Sequence, residues 1–96
     1  MLEKFQAYLV SKGYKEFSAN GSPSTVIDYS WRLEKICLRE GMTEQQLADN
    51  ITNILKQYDK SGEKWSVGRL SHESYINALK QFRKFILVQR FGGQNA

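Results

Sequence analysis

The sequence predicts an all-α fold, a compact bundle of four helices. Three observations carry this reading. Apolar residues recur at three- and four-residue spacing in four stretches, helix-start and helix-stop residues bracket those stretches, and no segment alternates apolar and polar residues as a strand would. The chain has 96 residues and is 41% hydrophobic, with five Phe, five Tyr and two Trp, which suffices for one small domain around one core.

The first helix carries Leu2, Phe5, Tyr8 and Leu9 on one face and stops at Gly13. The following YKEFSANG is irregular and closes in Asn20-Gly21, a turn dipeptide. Ser22-Pro23 reads as a helix start: the serine oxygen can cap free backbone N–H groups, and proline at the first helical position loses no hydrogen bond. Val26, Tyr29, Leu33, Ile36 and Cys37 then form one face, and Gly41 ends the second helix. Thr43 with Gln46 makes a capping box that opens a third, whose apolar line is Leu47, Ile51, Ile54, Leu55 and Tyr58.

After the charged loop DKSGEKWSVGR, Ser71 is expected to cap a last helix bearing Tyr75, Leu79, Phe82, Phe85 and Ile86. Breaks are thus expected at 13–21, 41–42 and 59–70. Leu33, Leu55, Leu79 and Phe82 should be nearly fully buried, and Tyr29, Tyr58 and Tyr75 should belong to the core. Residues 1–90 read as the domain, and 91–96 as a tail that begins an interdomain linker.

A single cysteine excludes an internal disulfide and a Cys-based metal cluster, and Cys37 on the apolar stripe reads as a core thiol rather than a reactive one. No apolar run approaches the roughly 20 residues that span a bilayer. The first residues carry Glu3 and Lys4 where a signal peptide needs an apolar run, so a cytoplasmic location with no membrane partner is expected. His72, the sole histidine, stands beside Glu73 and reads as a surface group. No carboxylate pair, metal-ligand spacing or glycine-rich phosphate loop is apparent, so no catalytic residue, cofactor or metal is expected.

The net charge of +4 permits nucleic acid or an acidic partner without selecting either. Its distribution is more informative. SPSTVIDYSWRLEKIC (22–37) and SHESYINALKQFRKFI (71–86) repeat one plan: a serine, a hydroxyl three residues on, an apolar stripe, and basic residues between. Asp28, Arg32, Lys35 and Arg39 fall on one stripe of the second helix. Asn77, Lys80 and Lys84 cover the outer face of the fourth, with Arg83 and Arg90 on its shoulder. Cations mixed with amides and hydroxyls suit phosphates and base edges; the plainer alternative is a solvated face. Trp31 points almost opposite the core of its helix. Either the N-terminal arm or the loop 62–68 covers it, or it meets a partner, and Trp65 raises the same question.

Phe5-Gln6-Ala7-Tyr8-Leu9, Ser22-x-x-Thr25-x-x-x-Tyr29-x-x-x-Leu33, and Leu70-Ser71-x-x-Ser74 leading to Ala78-Leu79-Lys80-Gln81-Phe82-x-x-Phe85-Ile86 together resemble the core-binding domain of tyrosine recombinases, the phage-integrase family. The resemblance runs from about Leu2 to Ile86. It departs from the family pattern at Ser74, where threonine is usual, and at Lys80, where arginine is usual. It implies a SAM-like bundle that grips duplex DNA at the core site for integration or recombination. Partners would be the C-terminal catalytic domain of the same parent protein and other recombinase protomers on DNA.

By that resemblance Ser22 and Thr25 contact phosphate at a helix start. Arg32, Lys35 and Arg39 lie on one DNA-facing helix, and Asn77, Lys80, Arg83 and Lys84 on the other. The family's catalytic Arg, His-x-x-Arg pair and Tyr nucleophile have no counterpart here, so the chain is expected to be non-catalytic by itself. The competing expectation is a helical protein-interaction domain whose basic surface binds an acidic partner, with Trp31 as an anchor.

Overall fold

The computed structural model describes residues 1–92 and is all-α, with six helices in place of the expected four. They are α1 (Leu2–Ser11), α2 (Thr25–Glu40), α3 (Glu44–Asp49), α4 (Ile51–Tyr58), α5 (Trp65–Gly68) and α6 (Leu70–Phe91). Among the described residues no helix is long and apolar enough to cross a membrane.

α6 is the central strut and packs against every other helix. It brings Ile76, Leu79, Phe82, Phe85 and Ile86 into one core with Phe5 and Leu9 of α1, Leu33 and Ile36 of α2, and Ile54 of α4. Phe5 meets Phe82 edge to face at 5.4 Å, a geometry that aromatic rings prefer over face-to-face contact, and meets Phe85 at a tilt of 57° and 5.7 Å. Leu33, Leu79 and Phe82 are fully buried, as expected. Leu55 is only half-buried. With Ile51, Ile54 and Tyr58 turned inward, Leu55 falls at the edge of that face, about 100° round the helix from Ile54, and packs against the core with one side only. Tyr58 is buried, whereas Tyr29 and Tyr75 only flank the core.

α2 starts two residues later than Ser22-Pro23 suggests. Phe17 and Pro23 pair in an isolated antiparallel bridge, Ser18 N–H donates to the Ser22 carbonyl at 2.8 Å, and Ser24 N–H donates to the Glu16 carbonyl at 2.8 Å. These bonds hold 22–24 extended, a geometry that proline tolerates, and Ser24 becomes the N-cap without a side-chain bond. The Asn20-Gly21 turn forms, with the Asn20 carboxamide oxygen accepting from Ser22 N–H at 3.0 Å. Gly41 (φ 64°, ψ 41°) ends α2 in the left-handed conformation that favours glycine.

The capping box forms as expected: Gln46 N–H donates to Thr43 Oγ1 at 3.1 Å, and Thr43 N–H donates to Gln46 Oε1 at 2.9 Å. The helix it opens is broken at Asn50 (φ −112°, ψ 15°), whose side-chain amide donates to the Gln46 carbonyl at 2.8 Å. An asparagine side chain that bonds the backbone in this way competes with a continuous helix. Part of the expected loop 59–70 forms α5. This segment returns so closely on α4 that a Cβ at Gly68 would collide with the Tyr58 carbonyl oxygen, and one at Gly62 with the Gln57 carbonyl oxygen.

Ser71 does not cap α6. Ser71, His72 and Glu73 are all left-handed, with φ of 54°, 56° and 64°, and regular helix begins after them. A left-handed non-glycine residue costs about 1–2 kcal/mol, so this first turn is held by what surrounds it. At the other end α6 runs through the expected boundary at residue 90 to Phe91; residues 93–96 of the expected tail lie outside the described residues.

Candidate nucleic-acid interface

Along regular α6, Asn77, Lys80, Gln81 and Lys84 follow one another at helical spacing and therefore share a face. They line a groove of about 400 Å³ to which Tyr14, from the segment after α1, Tyr29 of α2 and Leu55 of α4 also contribute. Arg83 lines it too, its Nε within 3.4 Å of Thr52 Oγ1. A second hollow of about 300 Å³ continues the first: Tyr14, Gln81 and Lys84 border both, and Tyr8 and Lys12 border the second. Lys12, Lys80, Arg83 and Lys84 thus gather around one joined groove. No carboxylate is among the described residues lining it. Such an arrangement offers cations for phosphates, amides for base edges and aromatic faces for stacking.

Burial pushes the Tyr29 phenol up, and the nearby Tyr14 and Asp28 add to the effect, so this groove hydroxyl stays protonated at neutral pH. Lys12 Nζ sits 5.5 Å from the centre of the Tyr8 ring, the distance of a cation–π contact.

Of the nine positions expected to bind DNA, the structure brings four together in the groove: Asn77, Lys80, Arg83 and Lys84. The α2 set does not join them. Arg32 is turned inward, its side chain only 19% exposed, with Nη2 3.2 Å from Asp28 Oδ1 and the guanidinium 5.1 Å from the centre of the Tyr75 ring. Its Nε is buried without a hydrogen-bond partner. Lys35 and Arg39 are exposed on α2, Ser22 belongs to the hairpin rather than the helix, and Thr25 is a half-buried first helical residue. Sequence reasoning missed Lys12, Tyr14, Tyr8 and Gln81. The available signal was the Lys12-Gly13-Tyr14 cluster, a cation and an aromatic flanking a glycine just beyond α1.

Elsewhere, Glu40, Tyr58 and Lys64 tie the ends of α2 and α4 to the start of α5. Tyr58 Oη donates to Glu40 Oε2 at 2.6 Å, and Lys64 Nζ donates to both Glu40 oxygens at 2.8 and 2.7 Å. Burial and then the bond to Glu40 push the Tyr58 phenol far up. Burial also raises the Glu40 carboxyl, but the bonds from Lys64 and Tyr58 and the Lys64 charge outweigh this and hold it below its ordinary value.

Trp31 is 50% exposed and Leu38 84% exposed on α2, so Trp31 is not fully covered within the chain, whereas Trp65 packs against the core. Cys37 is half-buried rather than fully in the core, beside a hollow of about 610 Å³ shared with Leu38 and Met42. Burial raises its pKa, and Glu44 and Glu34 add to the shift, which leaves the thiol protonated. Among the described residues, no group of three or more His, Cys, Asp or Glu could hold a metal ion. Comparison with known proteins finds no matching family model, curated protein or solved structure.

Proposed function

We propose that this chain is a duplex-DNA-binding module of the tyrosine recombinase or integrase kind, the core-binding part that grips DNA for integration or recombination. The observation that carries the reading is the α6 groove, in which Lys12, Lys80, Arg83 and Lys84 gather with Asn77 and Gln81 and no carboxylate among the lining residues. The motif order from Phe5 to Ile86 supports the family assignment. Under this proposal the chain acts in the cytoplasm and recombinase protomers share the DNA with it. A C-terminal catalytic domain of the parent protein supplies the strand-cutting chemistry. The chain alone then neither cleaves nor joins DNA and forms no covalent adduct on a nicked substrate.

The test is binding to random-sequence duplex DNA over a range of salt concentrations. The isolated domain should bind with Kd on the order of 10⁻⁴–10⁻⁶ M at physiological salt, as non-specific contacts do. Replacing Lys80, Arg83 and Lys84 with Ala should weaken binding and lower the salt slope by roughly one for each phosphate no longer neutralised. Replacing Lys4, Lys56 and Lys60 removes the same charge away from the lining of this groove and should act much less. Equal reductions in the two triple variants would reduce the effect to net charge.

A second reading rests on a different observation. Trp31 and Leu38 leave apolar surface uncovered on α2, which suits a protein contact. A parent domain that fails to bind DNA at low salt would move that reading ahead.

A further inference from the structure

Duplex DNA offers a protein its phosphates and the edges of its bases; the base faces are stacked and hidden. The groove over α6 supplies more than a duplex can use. Its two hollows, about 400 and 300 Å³, meet at Tyr14, Gln81 and Lys84. Each holds a further tyrosine and further positive charge: Tyr29 with Lys80 and Arg83 in one, Tyr8 with Lys12 in the other. Tyr14 is exposed, but its backbone is fixed by an N–H bond to the Leu9 carbonyl at 3.1 Å across Gly13, whose φ of 95° favours glycine. A ring on a pinned backbone at the junction, with a cation beside it, suits an unpaired nucleotide: the base lies on the ring and the phosphate faces the ammonium group.

We infer that the α6 groove binds unpaired nucleotides, with Tyr14 as the stacking platform and Lys84 as the phosphate contact at the junction of the two hollows. The inference rests on the reading of this face as a nucleic-acid interface and makes it more specific. DNA that is single-stranded, gapped or locally opened engages the groove, whereas fully paired DNA meets only its rim. Base identity matters little, because every base has a face to stack.

The experiment is fluorescence anisotropy of the full chain with labelled oligothymidylate, a random duplex of the same length, and that duplex carrying a gap, all at one salt concentration. Oligothymidylate and gapped DNA should bind about tenfold or more tighter than intact duplex. Tyr14→Ala should weaken oligothymidylate binding about five- to 150-fold, the effect of removing one base–aromatic stack, and weaken duplex binding by a smaller factor; Tyr14→Trp should retain binding. Circular dichroism of both variants checks that the fold is kept. Duplex bound as tightly as the single strand overturns the inference but leaves the duplex-gripping proposal standing. A Tyr14→Ala variant that keeps its single-strand affinity also overturns it, and failure of every probe to bind sinks both readings.

Discussion

α2 and α6 carry the same sequence plan, and the structure uses it in two ways. α2 is entered from a hairpin that holds Ser24 extended, whereas α6 is entered through three left-handed residues. On α2 the most central cation, Arg32, is occupied by Asp28 and Tyr75. On α6, Lys80 and Lys84 lie at the surface of a groove whose lining includes no acid among the described residues. Position on a helical wheel therefore does not fix whether a charge is available to a partner. A neighbouring carboxylate or ring can absorb it, and only packing determines whether one is near.

The comparison can be tested by substitution. The largest effect should come from the core side of α6: Phe82→Ala should cost about 3–5 kcal/mol in denaturant unfolding, since a fully buried ring contacting Phe5 and Phe85 leaves a cavity. A change under about 1 kcal/mol would mean that α6 is not the strut described.

Next comes the far end of α2. Glu40→Ala should cost about 2–3 kcal/mol, because Lys64 and the Tyr58 hydroxyl are left without their shared acceptor. The pH dependence has a definite sign. The folded carboxyl titrates below its ordinary value of 4.5, so the unfolded chain binds the proton more readily. The contribution is complete above the unfolded value and is lost as pH falls through the lower folded one. Glu40→Gln should flatten that acid limb of the stability curve.

A direct contrast between the two basic sets follows. Arg32→Ala should cost about 1 kcal/mol, through the ion pair and the Tyr75 contact, with little change in DNA affinity. Lys84→Ala should change stability by less than about 0.5 kcal/mol while weakening DNA binding. The reverse pattern would invert the assignment of the two helices. The smallest effect concerns how the two helices begin. His72→Gly should stabilise by about 0.5–1 kcal/mol by relieving a left-handed residue, whereas Thr25→Gly in regular helix should destabilise by a similar amount.

Legibility in the sequence followed the range of the interaction. The Thr43–Gln46 capping box, the Asn20-Gly21 turn and the Gly41 helix end depend on residues within a few positions, and each forms as expected. The true start of α2 was hidden because Pro23 pairs with Phe17, and a local rule for Ser-Pro does not see that strand-like partner. The break at Asn50 was hidden because the apolar spacing stays continuous across it. Half of the groove was visible as the outer face of α6. The other half needed the end of α1 to fall beside Gln81 and Lys84, a tertiary juxtaposition that no single-helix periodicity encodes. Arg32 was misjudged for the same reason, since Tyr75 lies 43 positions away in sequence but 5.1 Å from the guanidinium.

The approach of the α5 backbone to the end of α4 has a consequence for how this sequence can drift. At Gly68 there is no room for a Cβ against the Tyr58 carbonyl, and backbone cannot move aside as a flexible side chain can. A random library of variants should therefore come through selection for folding with position 68 still almost wholly glycine. Positions 31 and 38, which leave apolar surface open to solvent, should accept nearly any residue under that same selection. Any narrowing seen there only when function is also selected would mark a surface kept for a partner, so tolerance measured under the two selections separates what the fold requires of this chain from what its role requires.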